Sequence, residues 1–314
     1  MADKQTTAEA AVEEWESFYK NSTPPKDYSK LVDKMKDFAV HIGSFDQKLV
    51  LVTSGGTSVP LESRTVRYLD NFSIGTRGAA SAEYFLQCGY FVIFLHRHRS
   101  LQPYNRHLLS CNLLESLKFD QENNITVDKR ISTELEPVLR NYQKFKDRLC
   151  LIEFTSLADY LHLLQAAAQV LNDFGRHAML YLAAAVSDFY IPASLMVEHK
   201  IQSSEGALQL TMELVPKMLK PLVMHWAKNA YIISFKLETD ESNLLPKARK
   251  ALETYQHQVV IGNLLETRKE KVIMVTKGHE DSVVMSPDEI IKGQEVEEKI
   301  VEDLKNRHGQ FIAS

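Results

Sequence analysis

A chain of 314 residues that is 44% hydrophobic and 25% charged carries enough apolar material for one large α/β domain, and no run in it reaches the roughly 18 apolar residues of a membrane helix. The formal net charge of −4, with no basic stripe interleaved with aromatics, argues against a nucleic-acid partner. Cys88, Cys111 and Cys150 lack metal or redox spacing, and Glu9, Glu13 and Glu14 give the N-terminus no signal-peptide or transit-peptide character, so a cytoplasmic protein with buried or free thiols is expected.

Residues 7–20 can form a helix with Val12, Trp15, Phe18 and Tyr19 on one side. Pro24-Pro25 separates it from a second helix over Ser29 to Gly43, where Leu31, Met35, Phe38 and Ile42 recur at helical spacing. Residues 1–44 thus read as an N-terminal helical segment packing on the core or a dimer interface, and 45–314 as the main domain. The apolar run from Lys48, stopped by Gly55-Gly56, lacks polar alternation, as does a strand buried on both faces of a parallel sheet. The stretch Asn71-Phe-Ser-Ile-Gly-Thr-Arg-Gly78 follows, then a helix from Ala79 to Cys88 with Gly89 as its stop, then a second buried strand, Tyr90 to Leu95.

From Ser100 to Asp147 the pattern loosens, with turn signals at Gln102 to Asn105 and Glu122 to Asn124 and a helical piece from Glu134 to Lys144. A strand from Arg148 to Phe154 leads into Ser156-Leu-Ala-Asp159, a capping-box-like start for a helix carrying Leu157, Leu161, Leu164, Ala168 and Leu171. A buried strand, Ala178 to Val186, is followed by a flap at about 190–217. Beyond it the spacing predicts a strand at Tyr231 to Phe235, a helix at Leu244 to Tyr255 and a strand at Gln258 to Gly262. A hairpin of Lys271 to Thr276 with Ser282 to Met285, and a closing helix from Glu295 to Arg307, complete the chain. The alternation predicts a doubly wound, mostly parallel Rossmann-like sheet with helices on both faces and a small antiparallel element.

In such a sheet ligands gather beyond the carboxyl ends of the strands. The loop Ser73-x-Gly75-x-x-Gly78, between strand and helix, suits phosphate oxygens held on helix N–H groups. It is the dinucleotide fingerprint with Ser in place of the first Gly, and the acidic residue expected about 20 positions on is missing. Arg97 and Arg99 stand there instead, which disfavours NAD and leaves an NADP-dependent reductase as one reading. Small residues at Ala183-Ala-Ala185 serve tight packing or give a ligand access to the main chain. Asp188 reads as a cap, a solvated carboxylate or a ligand acceptor. Lys200 on the flap, with Lys217 as a second candidate, would supply a compact cation for charge on a phosphate. A non-catalytic nucleotide-binding dimer is a third reading.

Taken together, Ser54-Gly-Gly-Thr57, Arg67 to Gly78, Ala183-Ala-Ala-Val-Ser-Asp-Phe189, Glu198-His-Lys-Ile201, Ser234-Phe-Lys-Leu-Glu-Thr239 and Asn263 closely resemble the phosphopantothenate–cysteine ligase family in its free-standing animal form, over roughly residues 45 to 310. The resemblance implies an enzyme of coenzyme A biosynthesis that joins 4′-phosphopantothenate to L-cysteine through an acyl-nucleotidylate, with ATP as co-substrate and Mg²⁺, its ligands unknown, to offset anionic repulsion. It implies that Gly55, Ser73, Gly75 and Gly78 cradle the nucleotide phosphates, and that Phe235 and Asn263 contact its base or ribose side. It further implies that Asn71, Ala184, Ala185 and Asp188 hold phosphopantothenate, with Asn71 beside the activated carbonyl. Lys200 would close over the intermediate, and Arg67 would reach the substrate phosphate of the neighbouring subunit of a homodimer. Ser187 in place of the Ala of many bacterial relatives, and Gln202-Ser-Ser204 in place of their lysines, depart from the pattern that accompanies CTP use.

Overall fold

The computed structural model describes residues 14–108 and 114–314, so Val12 and Cys111 lie outside the described residues. Residues 14–21 are helical (α1), followed by α2 (Tyr28–Ile42), β1 (Leu49–Ser54), β2 (Ser58–Pro60), β3 (Tyr68–Asp70), α3 (Thr76–Gln87) and β4 (Phe91–Arg97). Next come β5 (Leu117–Phe119), β6 (Ile125–Val127), α4 (Lys129–Phe145), β7 (Leu149–Phe154), α5 (Leu157–Asn172) and β8 (Ala178–Leu182). The pair β9 (Phe189–Tyr190) and β10 (Glu213–Leu214) brackets the flap, and α6 (Leu219–Pro221) runs into a π-helical turn, Leu222–Trp226. The chain closes with β11 (Tyr231–Glu238), α7 (Glu241–Tyr255), β12 (Val259–Leu264), β13 (Lys271–Thr276), β14 (His279–Val284), α8 (Pro287–Ile291) and α9 (Val296–Ala313).

The main sheet runs β7-β4-β1-β8-β11-β12-β13-β14. The first six strands in that order are parallel, and the β13–β14 hairpin adds to β12 antiparallel. Counting only the parallel strands in chain order, the arrangement is 3-2-1-4-5-6, that of the Rossmann fold. Strand order therefore reverses between β1 and β8. β1 is buried at every position because the sheet is covered on both faces. On one face α3 and α9 pack through residues such as Ala79, Phe85, Val296 and Ile300 against Val50, Val52 and Tyr181. On the other, α2, α5 and the π turn pack through Met35, Leu161, Leu164 and Trp226 against Leu49, Leu51 and Leu180. α1 joins that layer: Phe18 is buried, the Tyr19 hydroxyl donates to Leu161 O at 2.9 Å, and Trp15 meets Trp226 edge-on at 5.5 Å.

Several elements differ in extent from the sequence reading. α3 starts at Thr76, so Gly78 lies inside its first turn rather than in the loop. The strand expected over Ala178 to Val186 stops at Leu182, while β11 and β12 run on to Glu238 and Leu264. α4 spans Lys129–Phe145 with Pro137 inside it and Asp128 as its N-cap, and the β5–β6 hairpin precedes it. The capping box at the start of α5 is formed as expected, Ser156 Oγ accepting from Asp159 N–H at 3.1 Å and Asp159 Oδ2 from Ser156 N–H at 2.9 Å.

His308 fixes α9 to the sheet end. Arg176 O can only accept, so Nε2–H donates to it at 2.9 Å, and Nδ1 then accepts from the Tyr90 hydroxyl at 2.9 Å. Burial holds this imidazole neutral, its pKa lowered to about 4. A folded-state pKa below the unfolded value of about 6.5 stabilises the fold above pH 6.5 and loses that contribution as pH falls toward 4. The unfolding free energy measured from pH 7 to pH 4 should fall less in His308→Gln than in the parent, by an amount approaching about 3 kcal/mol; identical slopes would show that His308 does not titrate with unfolding.

Candidate active site

At the carboxyl end of β1, Ser54 is buried and its hydroxyl donates to Gly75 O at 3.1 Å. Gly75 is the N-cap of α3 in a left-handed conformation, φ +88°, which favours glycine. A Cβ at Gly78 would lie 2.5 Å from both Cβ and Oγ of Ser54, so this glycine lets the first turn of α3 sit directly on β1. The first intrahelical bond runs from Ala79 N–H to Gly75 O, and no side chain caps the helix. The N–H groups of Thr76, Arg77 and Gly78 are left without helical partners at the positive end of the helix, an arrangement that accepts phosphate. Gly55 turns the chain out of β1, and half-buried Ser73 lies in the loop leading to Gly75.

Where β8 stops, the chain does not leave β1. Ala184 N–H donates to Thr53 Oγ1 at 3.1 Å, Ala185 N–H to Gly55 O at 2.8 Å and Ser187 N–H to Thr57 Oγ1 at 3.0 Å, while Thr57 N–H donates to Ala185 O at 3.0 Å. Ala184 and Ala185 are thus fixed beside the glycine turn, with their N–H groups already used. Asn71 is held in the same crevice by its N–H bond to Thr57 O at 3.1 Å. Asp188 lies at the exposed rim, 3.5 Å from Lys217 Nζ, and Val215 N–H donates to its carbonyl. Thr53 and Thr57 end strand one at this rim in the sequence, but both are fully buried, and nothing in the sequence assigns their hydroxyls to the chain beyond β8.

The β2–β3 arm and the flap form the outer wall. Glu62 is fully buried, and nothing in the sequence singles it out. Its Oε2 accepts from Val66 N–H at 3.1 Å and Arg67 N–H at 3.0 Å, and its Oε1 from Arg67 Nη1 at 2.9 Å and from the flap N–H of Ile201 at 3.5 Å. The Arg67 N–H, foremost among these donors, holds the Glu62 carboxyl below the usual range against the opposing effect of burial. Arg67 in turn donates both Nη1 and Nη2 to Ile201 O at 3.2 Å. Ser63 and Arg64 bond the backbone of Val197 and Glu198, so the flap is stitched to the arm along 197–201, with the Lys200 side chain exposed beside the stitch.

On the α3 face of the sheet, Phe235 packs edge-on against Tyr181 with centroids 4.9 Å apart. Asn263 is buried in β12 one step from Leu264, and its Oδ1 has no hydrogen-bond partner. A buried acceptor left unpaired costs about 1–3 kcal/mol, which a donor on a ligand would recover. Among the described residues no three His, Cys, Asp or Glu side chains converge as metal ligands.

The model of the DNA/pantothenate metabolism flavoprotein C-terminal domain matches residues 157–305. Over 298 residues, 92% of this chain and 95% of the relative, the sequence is 52% identical to the phosphopantothenate–cysteine ligase of Homo sapiens. The chain belongs to the phosphopantothenate–cysteine ligase family. Its relative from Saccharomyces cerevisiae, phosphopantothenate–cysteine ligase CAB2, is 42% identical over 96% of this chain and 87% of its own length. The solved structure of a Cab2 mutant in complex with phosphopantothenate-cysteine superposes with a TM-score of 0.87, at 42% identity, over 95% of this chain and 98% of that one.

Membership of the phosphopantothenate–cysteine ligase family leaves the NADP-reductase reading without support. Arg97, read as a partner for a 2′-phosphate, spends its Nη1 on Gly56 O at 2.7 Å and Asp70 Oδ1 at 2.5 Å, tying β4 to the arm. Because overpacking costs about 1–3 kcal/mol, Gly78→Ala should lower the thermal midpoint and Gly309→Ala, with nothing within 4 Å of the added methyl, should not. Equal midpoints for the two variants would show that α3 does not depend on its contact with Ser54.

Proposed function

We propose that this chain joins 4′-phosphopantothenate to L-cysteine in coenzyme A biosynthesis, with ATP as the activating co-substrate. The observation that carries the reading is the uncapped N-terminus of α3 beside the segment holding Asn71, Ala184 and Ala185, at the β1/β8 reversal, in a chain of this ligase family. In the first step the pantothenate carboxylate oxygen attacks the α-phosphorus of ATP and pyrophosphate leaves. In the second the cysteine amine attacks the acyl carbon, the acyl–oxygen bond to AMP breaks, and the amine loses a proton.

Both steps bring anions together, so donors fixed before reaction are worth more than donors that must be recruited. Gly55, Ser73, Gly75 and Gly78 form the turn that lets triphosphate oxygens approach the α3 N–H groups. Mg²⁺ would ride on those phosphates, keep several waters and take few protein oxygens. Asn263 Oδ1 suits the exocyclic amine of adenine, with Phe235 on the same face of the sheet. Cytosine carries such an amine too, so preference for ATP rests on likeness to the animal form. Asn71, Ala184, Ala185 and Asp188 would hold phosphopantothenate, Asn71 donating to the carbonyl oxygen as it gains charge. Lys200 would bring a compact cation over the α-phosphate. The free thiols Cys88 and Cys150 accord with a cytoplasmic setting.

The outer wall supports a homodimer with shared sites. Val66, Tyr68, Phe72 and Ile74 expose 57%, 54%, 94% and 57% of their surface along one arm, an apolar strip suited to a second copy. Arg67 on that arm would then reach the phosphate of phosphopantothenate bound in the neighbour, where its fork offers paired donors.

With ATP, Mg²⁺ and phosphopantothenate but no cysteine, the protein should exchange labelled pyrophosphate into ATP. Absence of exchange where full turnover is robust, with tight retention of pyrophosphate excluded, would contradict an adenylate-first reaction. Arg67→Ala and Asp188→Asn should each be nearly inactive alone and regain activity when mixed, because one hybrid site then keeps both native groups. Verified heterodimers that recover nothing would place both residues in a site within one chain.

A further inference from the structure

The sequence offers Arg67 and Lys200 as separate contributors, one on the arm and one on the flap. The structure joins them through a third residue. Glu62, with no exposed surface, uses each carboxylate oxygen twice: Oε2 on the N–H groups of Val66 and Arg67, Oε1 on the Arg67 guanidinium and the Ile201 N–H. The Arg67 fork then closes the circuit on Ile201 O, the residue next to Lys200. The stitch is continued by Ser63 N–H to Val197 O at 2.9 Å and Arg64 N–H to Glu198 O at 3.0 Å.

We propose that Glu62 is a positioning residue that locks the Lys200 flap to Arg67, so that the phosphate-binding arginine and the flap lysine are presented as one unit. The inference rests on the ligase reading for the roles of Arg67 and Lys200. If the dimer has shared sites, the same residue ties the flap over one site to the arginine delivered to the other. A neutral amide cannot replace the carboxylate, because both oxygens already face N–H donors and the NH₂ end of glutamine would oppose two of them in either orientation. Glu62→Gln should therefore loosen the arginine and the flap together.

The test is steady-state kinetics of the full chain with ATP, phosphopantothenate and cysteine. In Glu62→Gln, KM for phosphopantothenate should rise by about tenfold or more and kcat should fall by a similar factor, as expected when a buried carboxylate that holds a partly exposed arginine is neutralised. Glu62→Asp, which keeps the charge but not the reach, should fall between parent and Glu62→Gln. In a Lys200→Ala background, Glu62→Gln should lower kcat by no more than about twofold further, since the flap's contribution is already gone. Parent-like constants in Glu62→Gln, or full multiplication of the two kcat losses, would overturn the proposal. Hydrogen exchange on the parent gives an arm that needs no variant: the amides of Val66, Arg67 and Ile201 should gain protection together when phosphopantothenate is added, and independent responses would overturn the coupling. A parent without turnover would instead sink the ligase reading, which keeps the two failures distinct.

Discussion

The contact of Ser54 with Gly75 and Gly78 sets where everything else in the site can stand. Its short approach, possible only because Gly75 and Gly78 have no Cβ, seats the helix N-terminus against the end of β1. That end is where the strand order reverses, so the sheet itself opens a crevice there. The helix brings three N–H groups without helical partners to that opening, and the absence of a capping side chain leaves them for an anion. A capped helix would be locally more stable and chemically closed.

Opening a sheet creates unpaired backbone groups, and the way they are satisfied decides whether the crevice is rigid. Here the N–H groups beyond β8 are taken by Thr53, Gly55 and Thr57 at the end of β1, in place of water or a neighbouring strand. The substrate segment is consequently held before anything binds, which is the condition under which fixed dipoles stabilise developing charge. The arm and flap add the outer wall. In the proposed reaction, their stitch through Glu62 and Arg67 would make closure over the site and recognition of a phosphate one event.

The parallel core was legible because buried strands such as Leu49–Ser54 and helices such as Leu157–Asn172 announce themselves by unbroken apolarity, capping and periodicity. The glycine loop was legible from its place between a strand and a helix, and the six blocks from their resemblance to the ligase family. The end of β8 was not, since Ala183 to Ala185 are as strand-compatible as the residues before them, and only the fold turns their N–H groups to Tyr181 O, Thr53 Oγ1 and Gly55 O. The first turn of α4, from Lys129, was not legible, although the piece from Glu134 across Pro137 reads as helical. Glu62 could not be singled out, because a glutamate beside Ser63 and Arg64 has the composition of a solvated turn until the fold buries it.

The account's central claim is that the nucleotide lies across the β1/β8 reversal with its phosphates on α3. A crystal structure of the protein with phosphopantothenate and a non-hydrolysable ATP analogue tests it most directly. The account predicts phosphate oxygens within hydrogen-bonding reach of the Thr76, Arg77 and Gly78 N–H groups and the base amine at Asn263 Oδ1. A nucleotide bound elsewhere, with those N–H groups and Asn263 left to solvent or empty space, would contradict it.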